Sequence, residues 1–61
     1  MNKHLPSRRR ALIVEDEYLI AHDLEEAMRE LGFAECAVAP NARQAHSLSM
    51  SAPPDIVVVD V

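Results

Sequence analysis

Three short apolar runs alternate with two more polar segments along the chain. Residues 9–14 contain the run Ala-Leu-Ile-Val, and its length and β-branched content predict a buried strand. A weaker strand is predicted over residues 35–39. After Pro53 and Pro54, four consecutive β-branched residues predict a third strand over residues 56–60 that is apolar on both faces.

The two segments between these strands have helical character. Residues 18–31 predict an amphipathic helix, and Gly32 follows it where a helix commonly ends in a left-handed residue. The acids that precede this helix complement the positive end of its dipole. Asn41 can cap a second helix over residues 42–50, which the two prolines then stop. The apolar stripe of the first helix consists of Ile20, Leu24, Ala27, Met28 and Leu31.

The order strand, helix, strand, helix, strand predicts an α/β fold with a parallel sheet. Right-handed crossovers leave two strand orders, 1-2-3 and 2-1-3. Because the second strand is the least apolar, it fits an edge better than the centre of the sheet. The sequence therefore favours the order 2-1-3, in which the first and third strands are neighbours.

Acidic residues follow both of these neighbouring strands. Glu15 and Asp16 come directly after the first strand, and Asp60 comes at the end of the third. The carboxyl ends of parallel strands lie at one edge of a sheet, where ligands of open α/β folds bind. Three carboxylates that meet there repel one another, so either one of them takes up a proton or a cation binds. Carboxylate oxygens favour Mg²⁺, with Mn²⁺ as the alternative ion.

Charge and cysteine content narrow the functional classes. The first ten residues carry a charge of +4 and the remaining residues a charge of −8, and an acidic body of this kind repels nucleic acid. The apolar run that follows the basic start is too short for a signal peptide or a membrane span. The single cysteine, Cys36, indicates a reducing compartment, so we expect a cytoplasmic protein. The three histidines show no metal-ligand spacing, and His22 predicts only a surface pair with Glu26.

Three motifs together resemble the receiver domain of two-component response regulators: Ala-Leu-Ile-Val-Glu-Asp-Glu at 11–17, Leu-Gly-Phe at 31–33, and Pro-Asp-Ile-Val-Val-Val-Asp-Val at 54–61. The resemblance covers residues 9–61, the first half of a receiver through its third strand, and leaves residues 1–8 as a flexible basic tail. It implies a flavodoxin-like sheet and a signalling domain rather than an enzyme.

The resemblance also implies a role for each acid. Asp60 would be the phosphoacceptor and would attack a phosphohistidine on a histidine kinase or a histidine phosphotransfer protein. Asp16 would bind Mg²⁺ directly, Glu15 would hold it through water, and Asp60 would complete the metal site. The product would be an acyl phosphate, a labile charge suited to signalling.

The sequence departs from the family pattern beyond Asp60. Receivers use a backbone carbonyl two residues beyond the phosphoacceptor, a Ser or Thr after strand four and a Lys after strand five, and the 61 residues contain none of these positions. We therefore expect an incomplete receiver. Alone, such a polypeptide would be inactive and would self-associate through the exposed edge of the third strand.

Two other interpretations of the sequence are open, an enzyme and an interaction module. A Mg²⁺-dependent enzyme of the topoisomerase-primase type also has a Glu after its first strand and an Asp after its third. Such sites usually have Gly beside the Glu and continue as Asp-x-Asp, whereas here Asp16 follows Glu15. The remaining alternative is an interaction module that dimerises without being phosphorylated.

Overall fold

The computed structural model describes residues 9–60, so the predicted tail at residues 1–8 and the final residue, Val61, lie outside the described residues. The predicted α/β fold and the parallel strand order β2-β1-β3 are confirmed, and together they form part of a flavodoxin-like fold. Neither described helix is long and apolar enough to cross a bilayer. The elements are β1 (Arg10–Val14), α1 (Tyr18–Glu30), β2 (Glu35–Ala39), α2 (Ala42–Ser51) and β3 (Ile56–Val59).

Polar contacts at the start of β1 align its two neighbours. The side chain of Arg10 donates to Glu35 Oε1 in β2 at 2.8 Å. The backbone N–H of Arg10 donates to Asp55 Oδ2 at 2.8 Å, just before β3. The N–H of Asp55 in turn donates to the carbonyl of Arg10 at 2.8 Å. These contacts fix the register at this end of the sheet, and β1 and β3 then run in parallel towards the acids that follow them.

The two helices cover opposite faces of the sheet. The central strand β1 packs against both of them, because successive side chains of a strand point to opposite faces. Ala11 and Ile13 pack with Met28 of α1, and Ile13 is fully buried. Leu12 packs on the other face with residues of β2 and α2. Alternate residues of β1 therefore form the centre of both layers of the core.

The buried face of α1 differs from the predicted stripe. Ala21 and Met28 are buried and Leu24 is partly buried, whereas Ile20 and Leu31 of the predicted stripe are exposed. The helix rests on β1 and β2, which cover only the line through Ala21, Leu24 and Met28. The predicted start of the helix is confirmed, since α1 begins at Tyr18 and Glu15, Asp16 and Glu17 precede it.

The third strand is less covered than its sequence predicts. Val57 is 49% exposed and Val59 is 56% exposed, and only Val58 packs against the core beneath α1. β3 pairs with β1 on one side, and within residues 9–60 no strand pairs with its other edge. Self-association through this edge stays a prediction.

Replacement of Gly32 by Ala is expected to lower the free energy of unfolding by about 1–2 kcal/mol. Gly32 has a φ of 103°, and its N–H and that of Phe33 donate to the carbonyls of Arg29 and Met28, each at 3.0 Å, to close the end of α1. A Cβ at Gly32 would meet no atom within 4 Å, so the loss comes from the backbone conformation.

Urea denaturation of the two proteins measures this loss. Gly32→Asn should lose less stability than Gly32→Ala, because Asn adopts positive φ more readily. Equal stability of wild type and the Ala variant would contradict the assignment of this helix end.

Candidate functional site

Two strands of the sheet end side by side, and an acid follows each of them. Val14 and Val59 are register partners, so Glu15 and Asp60 occupy the next positions. The N–H of Asp60 donates to the carbonyl of Val14 at 3.3 Å, and the N–H of Glu15 donates to the carbonyl of Ala39 at 2.9 Å. These backbone hydrogen bonds hold Glu15 and Asp60 at one edge of the sheet.

Glu15 is the buried acid at this edge, with 8% of its surface exposed. Its Oε2 accepts a hydrogen bond from the backbone N–H of Glu17 at 2.8 Å. Its Oε1 is also buried and has no hydrogen-bond partner among residues 9–60. A buried carboxylate oxygen without a donor is costly, so a proton or a cation at this atom would stabilise the site.

The neighbouring carboxyls change the pKa of Glu15. The hydrogen bond from the N–H of Glu17 lowers the pKa of Glu15, but interaction with the side chain of Asp60, burial and the side chain of Asp16 outweigh it. The pKa of Glu15 is therefore raised above its ordinary value. This direction is expected where carboxyl groups crowd together, because each disfavours the ionised form of the other.

We call Glu15, Asp16 and Asp60 the acidic rim. Asp16 and Asp60 are both exposed, so a ligand can approach them from solvent. The adjacent Glu17 is exposed as well and serves as the residue before α1, without a capping hydrogen bond from its own side chain. The rim therefore combines one buried carboxylate with two that face solvent.

The rim residues fit a hard divalent cation. All the donor atoms are carboxylate oxygens, which suit Mg²⁺, and one of them is the unpartnered Oε1 of Glu15. In the described part of the chain, the ligand oxygens of the three rim carboxylates do not all lie within 4.8 Å of one another. An arrangement in which water bridges one carboxylate to the ion fits this wider spacing, because Mg²⁺ usually keeps several waters.

One group of side chains within residues 9–60 does meet that spacing, and it was not predicted from the sequence. His22, Asp23 and Glu26 of α1 bring their ligand atoms within 4.8 Å of one another. The predicted surface pair is wrong, since His22 and Glu26 form no ion pair or hydrogen bond within the described residues. The sequence contains one signal for this group, because His22 and Asp23 lie four and three residues before Glu26. Residues at these spacings are neighbours on the surface of a helix.

Cys36 is half-buried in the α1 layer, as expected of a small apolar residue in a strand. Its thiol donates to the carbonyl of Phe33 at 3.5 Å. Burial raises the pKa of the Cys36 thiol, which disfavours the reactive thiolate. Cys36 therefore takes no part in the candidate site.

Replacement of Glu15 by Gln is expected to change how stability depends on pH in metal-free buffer. A carboxyl with a raised pKa in the folded state adds stability at low pH and loses that contribution as the pH rises through the folded-state value. The Glu15→Gln variant should therefore gain stability relative to wild type between about pH 4 and neutrality. Gln retains an oxygen that can accept the hydrogen bond from the N–H of Glu17.

Chemical denaturation across this pH range, with a chelator present, measures the difference. Glu17→Gln is the matched control, because it removes the same charge from an exposed position two residues away. If the free energies of unfolding of wild type and the Glu15→Gln variant differed by the same amount at every pH, the pKa of Glu15 would not be raised in the folded state.

Two comparisons with known proteins give no match. The chain matches no model of a protein family, and no solved structure is significantly similar to it. Comparison with curated proteins does find relatives.

The chain is similar to the transcriptional regulatory protein PdtaR of Mycobacterium tuberculosis, in strain CDC 1551 / Oshkosh and in strain ATCC 25618 / H37Rv. In both cases the identity is 43% over 53 residues, which cover 87% of this chain and 26% of the relative. The chain thus spans about a quarter of the length of the curated relatives it matches. The similarity supports a relationship between this chain and the response regulators.

Proposed function

We propose that this chain is the phosphoacceptor part of a receiver in two-component signalling, and that Asp60 accepts the phosphoryl group. The observation that carries the proposal is the meeting of Asp60 with the buried Glu15 at the ends of neighbouring parallel strands. The similarity to a transcriptional regulatory protein agrees with a signalling role. The phosphoryl donor would be a phosphohistidine on a histidine kinase or a histidine phosphotransfer protein.

Asp60 has the chemistry and the position for this reaction. A carboxylate oxygen of Asp60 attacks the phosphorus atom, and the bond between phosphorus and the histidine nitrogen breaks. The imidazole leaves with the electron pair of that bond and is protonated from solvent. The product on Asp60 is an acyl phosphate. Because Asp60 is exposed at the end of β3, a donor histidine can reach it.

The other rim residues control the charge around Asp60. Phosphoryl transfer depends mainly on positioning and on the neutralisation of negative charge. Glu15, Asp16 and Asp60 would hold Mg²⁺, or Mn²⁺ as the alternative ion. When bound, the ion would neutralise part of the charge on the carboxylates and the phosphoryl oxygens. Glu15 is oriented for this role by the hydrogen bond from the N–H of Glu17.

The test is phosphorylation of the full-length protein by acetyl phosphate, read by intact mass. With Mg²⁺ we expect a gain of one phosphoryl group, and with a chelator in place of Mg²⁺ we expect none. Hydroxylamine should remove the group, since it cleaves acyl phosphates. Failure to gain a phosphoryl group with Mg²⁺ present would overturn the proposal.

The same experiment separates the alternatives. A strand-cutting enzyme of the topoisomerase-primase type would keep its mass under acetyl phosphate and would cleave DNA when Mg²⁺ is added. An interaction module without phosphorylation would keep its mass and leave DNA intact. Either outcome would replace the receiver assignment.

A further inference from the structure

We propose that His22, Asp23 and Glu26 form a second metal site, on the exposed side of α1, that takes a transition-metal ion such as Zn²⁺. One ligand atom from each of these side chains lies within 4.8 Å of the other two. His22 and Glu26 are four residues apart and Asp23 and Glu26 are three apart, so His22 and Asp23 are each neighbours of Glu26 on the surface of the helix. The proposal is independent of the chemistry at Asp60.

The side chains of this α1 site are available to a ligand. All three are exposed, and within residues 9–60 none of them makes a hydrogen bond or an ion pair. The one arginine of α1, Arg29, is engaged elsewhere: it pairs with Glu25 at 2.9 Å and donates to the carbonyl of Ala34 at 2.9 Å. The two carboxylates of the α1 site therefore lack a neutralising cation from their own helix.

The ligand types distinguish the α1 site from the acidic rim. The rim offers only carboxylate oxygens, which suit Mg²⁺, whereas the α1 site adds an imidazole nitrogen from His22. One imidazole and two carboxylates match the ligand types that proteins use for Zn²⁺. Three ligands leave a fourth position of a tetrahedral ion open to water or to a side chain of another molecule. The α1 site should accordingly prefer Zn²⁺ to Mg²⁺.

Zinc titration followed by NMR of the histidine side chains tests this proposal. The titration uses the protein with Asp60→Asn, so that the rim carries less charge and competes less for the ion. We expect Zn²⁺ to shift the imidazole signals of His22, and an excess of Mg²⁺ to leave them in place. His22→Gln should abolish this binding, and Glu26→Gln should weaken it by about tenfold or more.

His46→Gln is the matched control, because His46 is an exposed histidine of α2 that belongs to no such group of ligands among the described residues. This variant should bind Zn²⁺ with unchanged affinity at His22. Unshifted His22 signals would overturn the proposal. Equal Zn²⁺ affinity with and without the Glu26→Gln change would do the same, as would loss of the His22 shift in the His46→Gln variant.

Discussion

Replacement of Asp60 by Asn is expected to abolish the phosphoryl adduct that acetyl phosphate forms with Mg²⁺ present. The amide of Asn is nearly the same size as the carboxyl group, but it has no anionic oxygen to attack phosphorus. The substitution also removes one charge beside Glu15, where carboxyl groups crowd together. The variant should therefore fold at least as well as wild type without metal while it fails completely as an acceptor.

Asp55→Asn provides the matched control for this experiment. Asp55 precedes β3 at the opposite end of the strand from Asp60, and its carboxylate accepts a hydrogen bond from the N–H of Arg10. The change is the same chemically but lies away from the rim, so the Asp55→Asn variant should still take up one phosphoryl group. An adduct that persists in the Asp60→Asn variant would place the acceptor elsewhere.

Replacement of Ile13 by Ala is expected to lower the free energy of unfolding by about 2–5 kcal/mol. Ile13 is fully buried in the central strand and packs beside Ala11 and Met28, with Val58 and Leu24 at the edge of the cluster. The smaller side chain leaves a cavity that the surrounding strands cannot easily fill. A small domain has little stability to spare, so the loss is a large part of the total.

Urea denaturation measures this loss, and Ile56→Ala is the control. Ile56 is 39% exposed in the outer strand, so the same truncation there should cost about 1 kcal/mol or less. Equal losses at the two positions would show that the core is not centred on β1.

Much of the fold could be predicted because local pattern and tertiary structure agree. The β-branched runs predicted β1 and β3, and the weak apolar character of residues 35–39 placed β2 at an edge. The predicted order of the strands was enough to bring Glu15 and Asp60 to one edge of the sheet. Topology alone therefore located the candidate site.

The remaining details depend on contacts that periodicity does not encode. The environment of Glu15 arises from the hydrogen bond that it accepts from the N–H of Glu17 and from its neighbour Asp60. The pattern of apolar residues in β1 predicts neither contact. The buried line of α1 runs through Ala21 because of where the helix crosses β1 and β2. A rotation of α1 about its own axis changes which residues are buried but leaves the helical period of the sequence unchanged.

The attachment of β3 determines how firmly Asp60 is placed. Within residues 9–60, the backbone of β3 lies close to that of only one other element, β1. Strands with few buried contacts open at lower free energy than central ones. The amide protons of β3 should therefore exchange with solvent sooner than those of β1, and each such opening would carry Asp60 away from Glu15. The distance between these two carboxylates is thus set by the backbone hydrogen bonds of a single ladder.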